Sequence, residues 1–239
     1  MNNTSPQTRQ PSSDEPRSAP SAAEPDQTVP DESLFPVPAA DLERLRTQLE
    51  RHAAAADLLD VAYRTVDTPL GALLLAATDK GLLRVAFARE GFDDVLATIA
   101  HRVSPRVLQA PARLDQVARE VDEYFAGTRR DFDIVVDHAL SSGFRLRVQS
   151  KLPQIAYGRT LSYRELAELS GSPKAVRAVG SACATNPLPI VVPCHRVLRS
   201  DGGLGGYIGG LDAKTMLLEL EKTPEQHQTT TTRAERSLP

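Results

Sequence analysis

The sequence predicts an α/β fold of the α+β kind: a small N-terminal domain with a three-stranded antiparallel sheet and helices, then a mainly helical C-terminal domain with a helix-turn-helix. Three observations predict it. Strand-like runs at Val61–Val66, Gly71–Ala77 and Gly81–Phe87 are separated by short turn sequences. Between Ser162 and Cys183, two short helical patterns flank Gly171. Of 239 residues, the first 57 and the last 17 hold little that could be buried, which leaves about 165 for folded structure.

The expected organisation is an N-terminal extension over residues 1–57, an α/β domain over 58–140, a second domain over 141–222 and a tail over 223–239. Residues 1–36 are rich in Pro, Ser, Gln and acidic residues and are expected to be disordered. Asp41–Leu59 has helical character, with Leu42, Leu45, Leu49 and an alanine run. The three strands then form a meander, closed by turn residues at 67–70 and 78–80. Asp93–His101 and Leu114–Phe125 follow as helices; the second places Leu114, Val117, Val121, Tyr124 and Phe125 at near-helical spacing. Phe132–Val136 is a candidate strand. His52, His101 and His138 are isolated, so this half carries no visible chemistry.

In the second half, Leu146–Ile155 is expected to be helical. Ser162 with Glu165 three residues on forms a capping box for a helix that Gly171 stops. Ser172 is read as the cap of the next helix, with Pro173 at its first position. On that helix Val176, Val179 and Cys183 form a buried stripe, and Lys174, Arg177 and Ser181 fall opposite. Ala175, Ala178, Gly180 and Ala182 keep its surface slim. A last helix is capped by Asp212, packs Met216, Leu217 and Leu220, and closes with Glu221.

The run from Pro187 to Val197 joins these elements to chemistry: an apolar stretch between prolines ends on Cys194 and His195. Proline at its margins suggests a rigid extended rod that delivers its last residues to one place. A dinucleotide fingerprint is excluded, since Ile208 stands where a third glycine would be needed and no strand-turn-helix follows. Asn186-Pro187-x-Pro189, Pro193-Cys194-His195-Arg196-Val197, the glycine-rich segment Gly205 to Leu211, and Lys214-x-x-Leu217-Leu218-x-x-Glu221 together resemble the active-site signature of the O6-alkylguanine-DNA alkyltransferases. The resemblance runs from about Phe144 to Glu221.

The resemblance implies a ribonuclease-H-like N-terminal domain and a repair activity. An alkyl group on O6 of guanine, or on O4 of thymine, passes irreversibly to Cys194 after the nucleotide is flipped out of duplex DNA. A thiol is mostly protonated at neutral pH, so a base is needed. The resemblance assigns that part to His195, acting through a water and oriented by Glu221, while Asn186 supports the active-site turn. Tyr163 would donate toward N3 of the leaving guanine. Arg177 would fill the space left by the flipped base, with Lys174 and Ser181 on the same DNA-facing side. Val197, Tyr207, Ile208 and Cys183 would line the pocket, with the backbone amide of residue 208 meeting O6. Many relatives carry a small residue where Ile208 stands, so alkyl-size preference is expected to differ.

The charge distribution agrees with a nucleic-acid partner. Ser141 to Glu221 holds 10 Lys/Arg against 6 Asp/Glu, whereas Met1 to Leu140 holds 15 against 23, so the net charge of −3 hides a basic half. Animal relatives hold zinc in the N-terminal half; with no cysteine before Cys183, no metal site is expected here, nor any other cofactor. Two cysteines and no secretory or membrane-length apolar run point to a cytoplasmic monomer with both cysteines as thiols. The competing readings are a lesion-binding sensor, which would lack the cysteine, a regulator, which would carry a cysteine-rich zinc module, and a thiol protease, which would keep its histidine apart from its cysteine.

Overall fold

The computed structural model describes residues 38–56 and 58–222; the expectations for the extreme N-terminal segment and the polar tail lie outside them. Helix α1 (Ala39–Ala55) comes first, with Leu42, Leu45 and Leu49 exposed. Strands β1 (Val61–Thr68), β2 (Gly71–Thr78) and β3 (Gly81–Phe87) form the expected antiparallel meander. A fourth strand, β4 (Val107–Gln109), pairs parallel to β1, so the sheet order is β3-β2-β1-β4. Three residues are too few for a period-2 signal, which is why the sequence conceals it.

Both faces of this sheet are covered; side-chain alternation sorts them, shifted on β3 by the irregularity in its pairing at Ala76/Ala77. Leu74, Ala76, Leu83 and Ala86 pack with Val95 and Ile99 of helix α2 (Phe92–Arg102). Leu73, Leu75, Leu82 and Val85 face the other way, onto helix α3 (Asp115–Phe125) and onto Val148, Leu166, Val179 and Leu217 of the second half. One buried cluster therefore runs across the boundary expected near residue 140. The free edge of β3 is occupied rather than open. Val135 accepts from Leu82 N at 2.9 Å, and Pro187 accepts from Val85 N at 2.9 Å. The segment 132–136 is correspondingly no strand: it makes a single parallel bridge, Leu82 to Val136.

The second half begins with helix α4 (Gly143–Gln149) and a separate 3₁₀ turn at Leu152–Gln154, where one helix over 146–155 was expected; Pro153 has no N–H to carry an α-helical bond across the break. Strand β5 (Leu161–Ser162) leads into helix α5 (Tyr163–Leu169), and the capping box is formed as expected. Ser162 Oγ accepts from Glu165 N at 3.2 Å, and Ser162 N donates to Glu165 Oε2 at 2.6 Å. Gly171 (φ 69°) ends the helix in the left-handed conformation that glycine adopts without penalty.

Helix α6 (Val176–Ala184) starts later than expected, with Ala175 as its N-cap. Residues 172–175 close a separate turn, Ala175 N to Ser172 O at 2.9 Å, so neither Ser172 nor Pro173 caps α6 and Lys174 precedes it. Ala182 is buried in the core and does not slim the outer face. The stretch from Pro187 to Pro193 is a turn and not a rod. Its prolines deny it ladder bonds, so it folds back, with Val192 N donating to Leu188 O at 2.8 Å and Ile190 at φ 74°. A 3₁₀ turn at Cys194–Arg196 and strand β6 (Val197–Leu198), parallel to β5, follow. Helix α7 (Leu211–Leu220) is capped by Gly210 rather than Asp212, and Met216 points outward at 43% exposure.

Candidate active site

The fold-back after α6 is organised by one side chain. Asn186 is buried; its Nδ2 donates to Val192 O at 2.8 Å and to Cys194 Sγ at 3.2 Å, and its Oδ1 accepts from Leu188 N at 3.1 Å. These bonds hold Ile190 in a backbone region that β-branched residues avoid. The turn is also fastened to the N-terminal half, because Pro187 O accepts from Arg84 Nη1 at 3.0 Å as well as from the β3 backbone. The nucleophile candidate is thus fixed by contacts at both ends of the turn.

Directly after it, His195 is fully buried, and its Nε2 lies 3.0 Å from Glu221 Oε1. Opposite an ionised carboxylate, Nε2 carries the proton, which leaves Nδ1 with the lone pair. Nδ1 has no protein partner. Glu221, at the end of α7, is held from four sides. Arg196 grips it with two bonds, Nε to Oε2 and Nη2 to Oε1, both 2.8 Å. Tyr124 Oη donates to Oε1 at 2.7 Å and Gly158 N donates to Oε2 at 3.3 Å. Arg196 Nη1 completes its own set on Ile155 O at 2.6 Å. A buried carboxylate and guanidinium are tolerable only when so thoroughly paired.

The electrostatics follow from this packing. Burial pushes the Cys194 thiol up to about 11, against the hydrogen bond from Asn186 and the charge of Lys214. Burial likewise holds the His195 imidazole below its ordinary value, although Glu221 pulls the other way. Burial alone would raise Glu221; the hydrogen bonds from His195 and Arg196, with the Arg196 charge, prevail and hold it at about 2. The resting state is therefore thiol, neutral imidazole and carboxylate.

Around this centre, Tyr163 opens α5, its phenol pushed up to about 12 by burial and by the proximity of Cys183 and Cys194. Gly205 (φ 65°) lies against it: a Cβ there would come within 2.7 Å of the Tyr163 hydroxyl, so this loop position has no room for a side chain. Tyr207 stands edge-on to His195 with centroids 6.3 Å apart, and Phe87 of β3 stands edge-on to Tyr207 at 5.7 Å. The buried Lys214 donates to Val197 O at 2.6 Å and to Leu204 O, tying α7 to β6 and to the glycine loop. Cys183 is a second buried thiol, pushed up to about 12 by burial and by Cys194. Ile208 lines an adjoining cavity of about 400 Å³ together with Asn186, Pro187 and Arg84. Among the described residues, no group of three or more His, Cys, Asp or Glu could hold a metal ion.

Arg177 and Ser181 lie on the exposed face of α6, away from this buried centre, and Lys174 is exposed just before it. Ser181 Oγ is turned back onto Arg177 O at 3.3 Å.

Residues 61–138 match the ribonuclease-like domain of 6-O-methylguanine DNA methyltransferase, and residues 143–223 match its DNA-binding domain. The chain belongs to the 6-O-methylguanine DNA methyltransferase family. It is 41% identical over 162 residues to the methylated-DNA–protein-cysteine methyltransferase of Mycolicibacterium paratuberculosis, covering 68% of this chain and 93% of that one. It is 37% identical over 164 residues to the constitutive enzyme of Bacillus subtilis, covering 67% and 94%. The crystal structure of Mycobacterium tuberculosis O6-methylguanine methyltransferase superposes with a TM-score of 0.60 at 37% identity, over 68% of this chain and 93% of that one. A structure of the Mycobacterium tuberculosis protein in complex with DNA gives 0.59 at 37% identity, over 67% and 92%.

In this member of the methyltransferase family, the structure adds three residues to those the sequence singles out. Arg196 and Lys214 stand inside the quoted motif; a charged residue in a stretch otherwise set for burial was the available signal. Tyr124 had none, since it lies 97 positions from Glu221 and reads as a core aromatic. Among the described residues, no helix is long and apolar enough to cross a membrane.

Proposed function

We propose that this chain repairs DNA by moving an alkyl group from O6 of guanine onto Cys194, once per molecule. The observation that carries the mechanism is the 3.0 Å contact of His195 Nε2 with Glu221 Oε1, which leaves Nδ1, on the residue next to Cys194 in the chain, with no protein partner. As Cys194 Sγ attacks the alkyl carbon, the thiol proton leaves through a bridging water to Nδ1, and Glu221 stabilises the imidazolium that forms. The carbon–oxygen bond breaks, its electron pair stays on the guanine, and Tyr163 donates its proton at N3; the phenolate this leaves and the imidazolium of His195 are neutralised by proton exchange with water once the base has departed. Burial is the main cause that holds the Tyr163 phenol up at about 12, so it keeps its proton until negative charge develops on the leaving base. Asn186 steadies the sulfur through its 3.2 Å bond. No group in the site could cleave the thioether, so the protein is consumed.

The exposed face of α6, with Arg177 and small neighbours, meets duplex DNA, and Arg177 takes the place of the extruded base. Lys174 and Ser181 supply backbone contacts beside it. The family resemblance assigns Tyr207, Val197, Cys183 and Ile208 to the alkyl pocket, and of these Ile208 lines the cavity beside Asn186. With two free thiols and DNA as substrate, a monomer in the cytoplasm is the setting that fits.

The experiment is incubation with duplex DNA carrying O6-methylguanine, followed by intact and peptide mass. One methyl group is gained on the peptide containing Cys194, and Cys194→Ala gains none. Lesion binding by both proteins with no mass change would overturn transfer and leave a sensor.

The same electrostatics predict the pH dependence. Because the reacting state is thiol plus neutral imidazole, the rate with free O6-benzylguanine stays within about threefold from pH 7 to pH 9. An unassisted thiolate, with its thiol near 11, would instead speed up about tenfold per pH unit. A stopped-flow or mass-based rate profile separates the two.

A further inference from the structure

Tyr124 belongs to α3, in the half of the chain where the sequence reveals no chemistry. It is fully buried, and its ring is wedged against Phe125, Phe132 and Tyr157, with centroids 5.5, 5.3 and 6.3 Å away. Among the described residues its hydroxyl bonds Glu221 Oε1 alone, and that same oxygen faces His195 Nε2 and Arg196 Nη2. The donation is permanent, since burial and the Glu221 charge hold the phenol far above its ordinary value.

We infer that Tyr124 is a positioning residue of the proton relay: through its hydroxyl, the N-terminal half sets how strongly Glu221 draws on the His195 imidazole. A hydrogen bond to a carboxylate spreads its charge; each donor on Oε1 therefore leaves less charge to stabilise imidazolium. Removing the Tyr124 donor makes Glu221 a stronger attractor and raises the proton affinity of His195. The other charged or titratable groups facing the pair are Arg196, Lys214, Cys194, Tyr157 and Tyr207, and none of them changes in the substitution. This role rests on the alkyl-transfer reading only for its kinetic consequence; the histidine titration does not depend on it.

The test compares Tyr124→Phe with Tyr157→Phe in the full chain. Tyr157 sits in the same aromatic cluster, but its hydroxyl donates to Leu220 O at 2.9 Å rather than to the carboxylate, so it controls for a lost buried hydroxyl. Imidazole titration of His195 is followed by ¹⁵N NMR, and the acid limb of the reaction with free O6-benzylguanine is measured alongside. The titration and the acid limb move up by about one pH unit in Tyr124→Phe, the lower end of what loss of a hydrogen bond to a charged group delivers. Both stay in place in Tyr157→Phe. The inference is overturned if Tyr124→Phe leaves the His195 titration unmoved, or if both variants move it equally. Failure of the wild-type chain to transfer any alkyl group would sink the repair reading and leave the titration result standing by itself.

Discussion

Glu221→Ala lowers folding stability by about 3 to 5 kcal/mol and reduces alkyl transfer below detection, because it strands the buried guanidinium of Arg196 with Ile155 O and the face of Tyr157 but no counter-charge. His195 loses its orienting partner in the same step and can no longer be held with Nε2 protonated. Glu221→Gln keeps the shape and separates the two effects. Its stability loss is smaller, since one acceptor oxygen survives, but its transfer rate falls with the missing charge. The pair can also be removed together. Replacing Arg196 and Glu221 by Met and Leu removes the unpaired charge and so recovers part of the loss, but the buried Tyr124 hydroxyl and His195 Nε2 still lack their acceptor, and no activity returns. Urea unfolding and a single-turnover rate check each arm; a Glu221→Ala protein within about 1 kcal/mol of wild type would show that the carboxylate is not the anchor its geometry implies.

The same group makes the fold sensitive to acid. Its folded value near 2 lies below the unfolded value of 4.5, so its contribution is present above about pH 4.5 and is lost as pH falls toward 2. His195 adds to this in the same direction, because its folded value is held below 6.5 and the unfolded chain takes up the proton first.

Arg177→Ala slows repair of O6-methylguanine in duplex by about a hundredfold and leaves the reaction with free O6-benzylguanine unchanged. Holding a nucleotide outside the stack costs a few kcal/mol, and a side chain that fills the gap offsets much of it. The free base needs no extrusion. Arg177 is exposed on α6 and belongs to no hydrogen bond or ion pair through its guanidinium among the described residues, so its loss has little to destabilise. Parallel single-turnover rates on the two substrates decide the matter, and equal losses on both would remove Arg177 from base extrusion.

Local chemistry made much of this readable in advance. The capping box at Ser162 and Glu165, the meander from Val61 to Phe87, and the stop at Gly171 depend on neighbours within a few positions, and each formed where expected. Elements that answer to distant partners did not read true. β4 exists because β1 offers it an edge, and residues 132–136 lie along β3 with a single bridge. The proline stretch reads as an extended rod, but Asn186 bends it back on itself. Ser172-Pro173 has the chemistry of a helix start and yet closes a turn, leaving α6 to begin at Val176.

By itself, then, the sequence determined that a thiol and an imidazole stand side by side at the end of a constrained segment, followed by a carboxylate at the end of a helix, and that a short helix pair precedes them. Only the tertiary structure decided their protonation. Placing Cys194, His195 and Glu221 in one water-poor centre drives the thiol up and the imidazole down, while Arg196, Tyr124 and Gly158 converge on Glu221 and keep it ionised. Charge states respond to solvent exclusion and to partners brought from far along the chain, and neither is written in the spacing of residues.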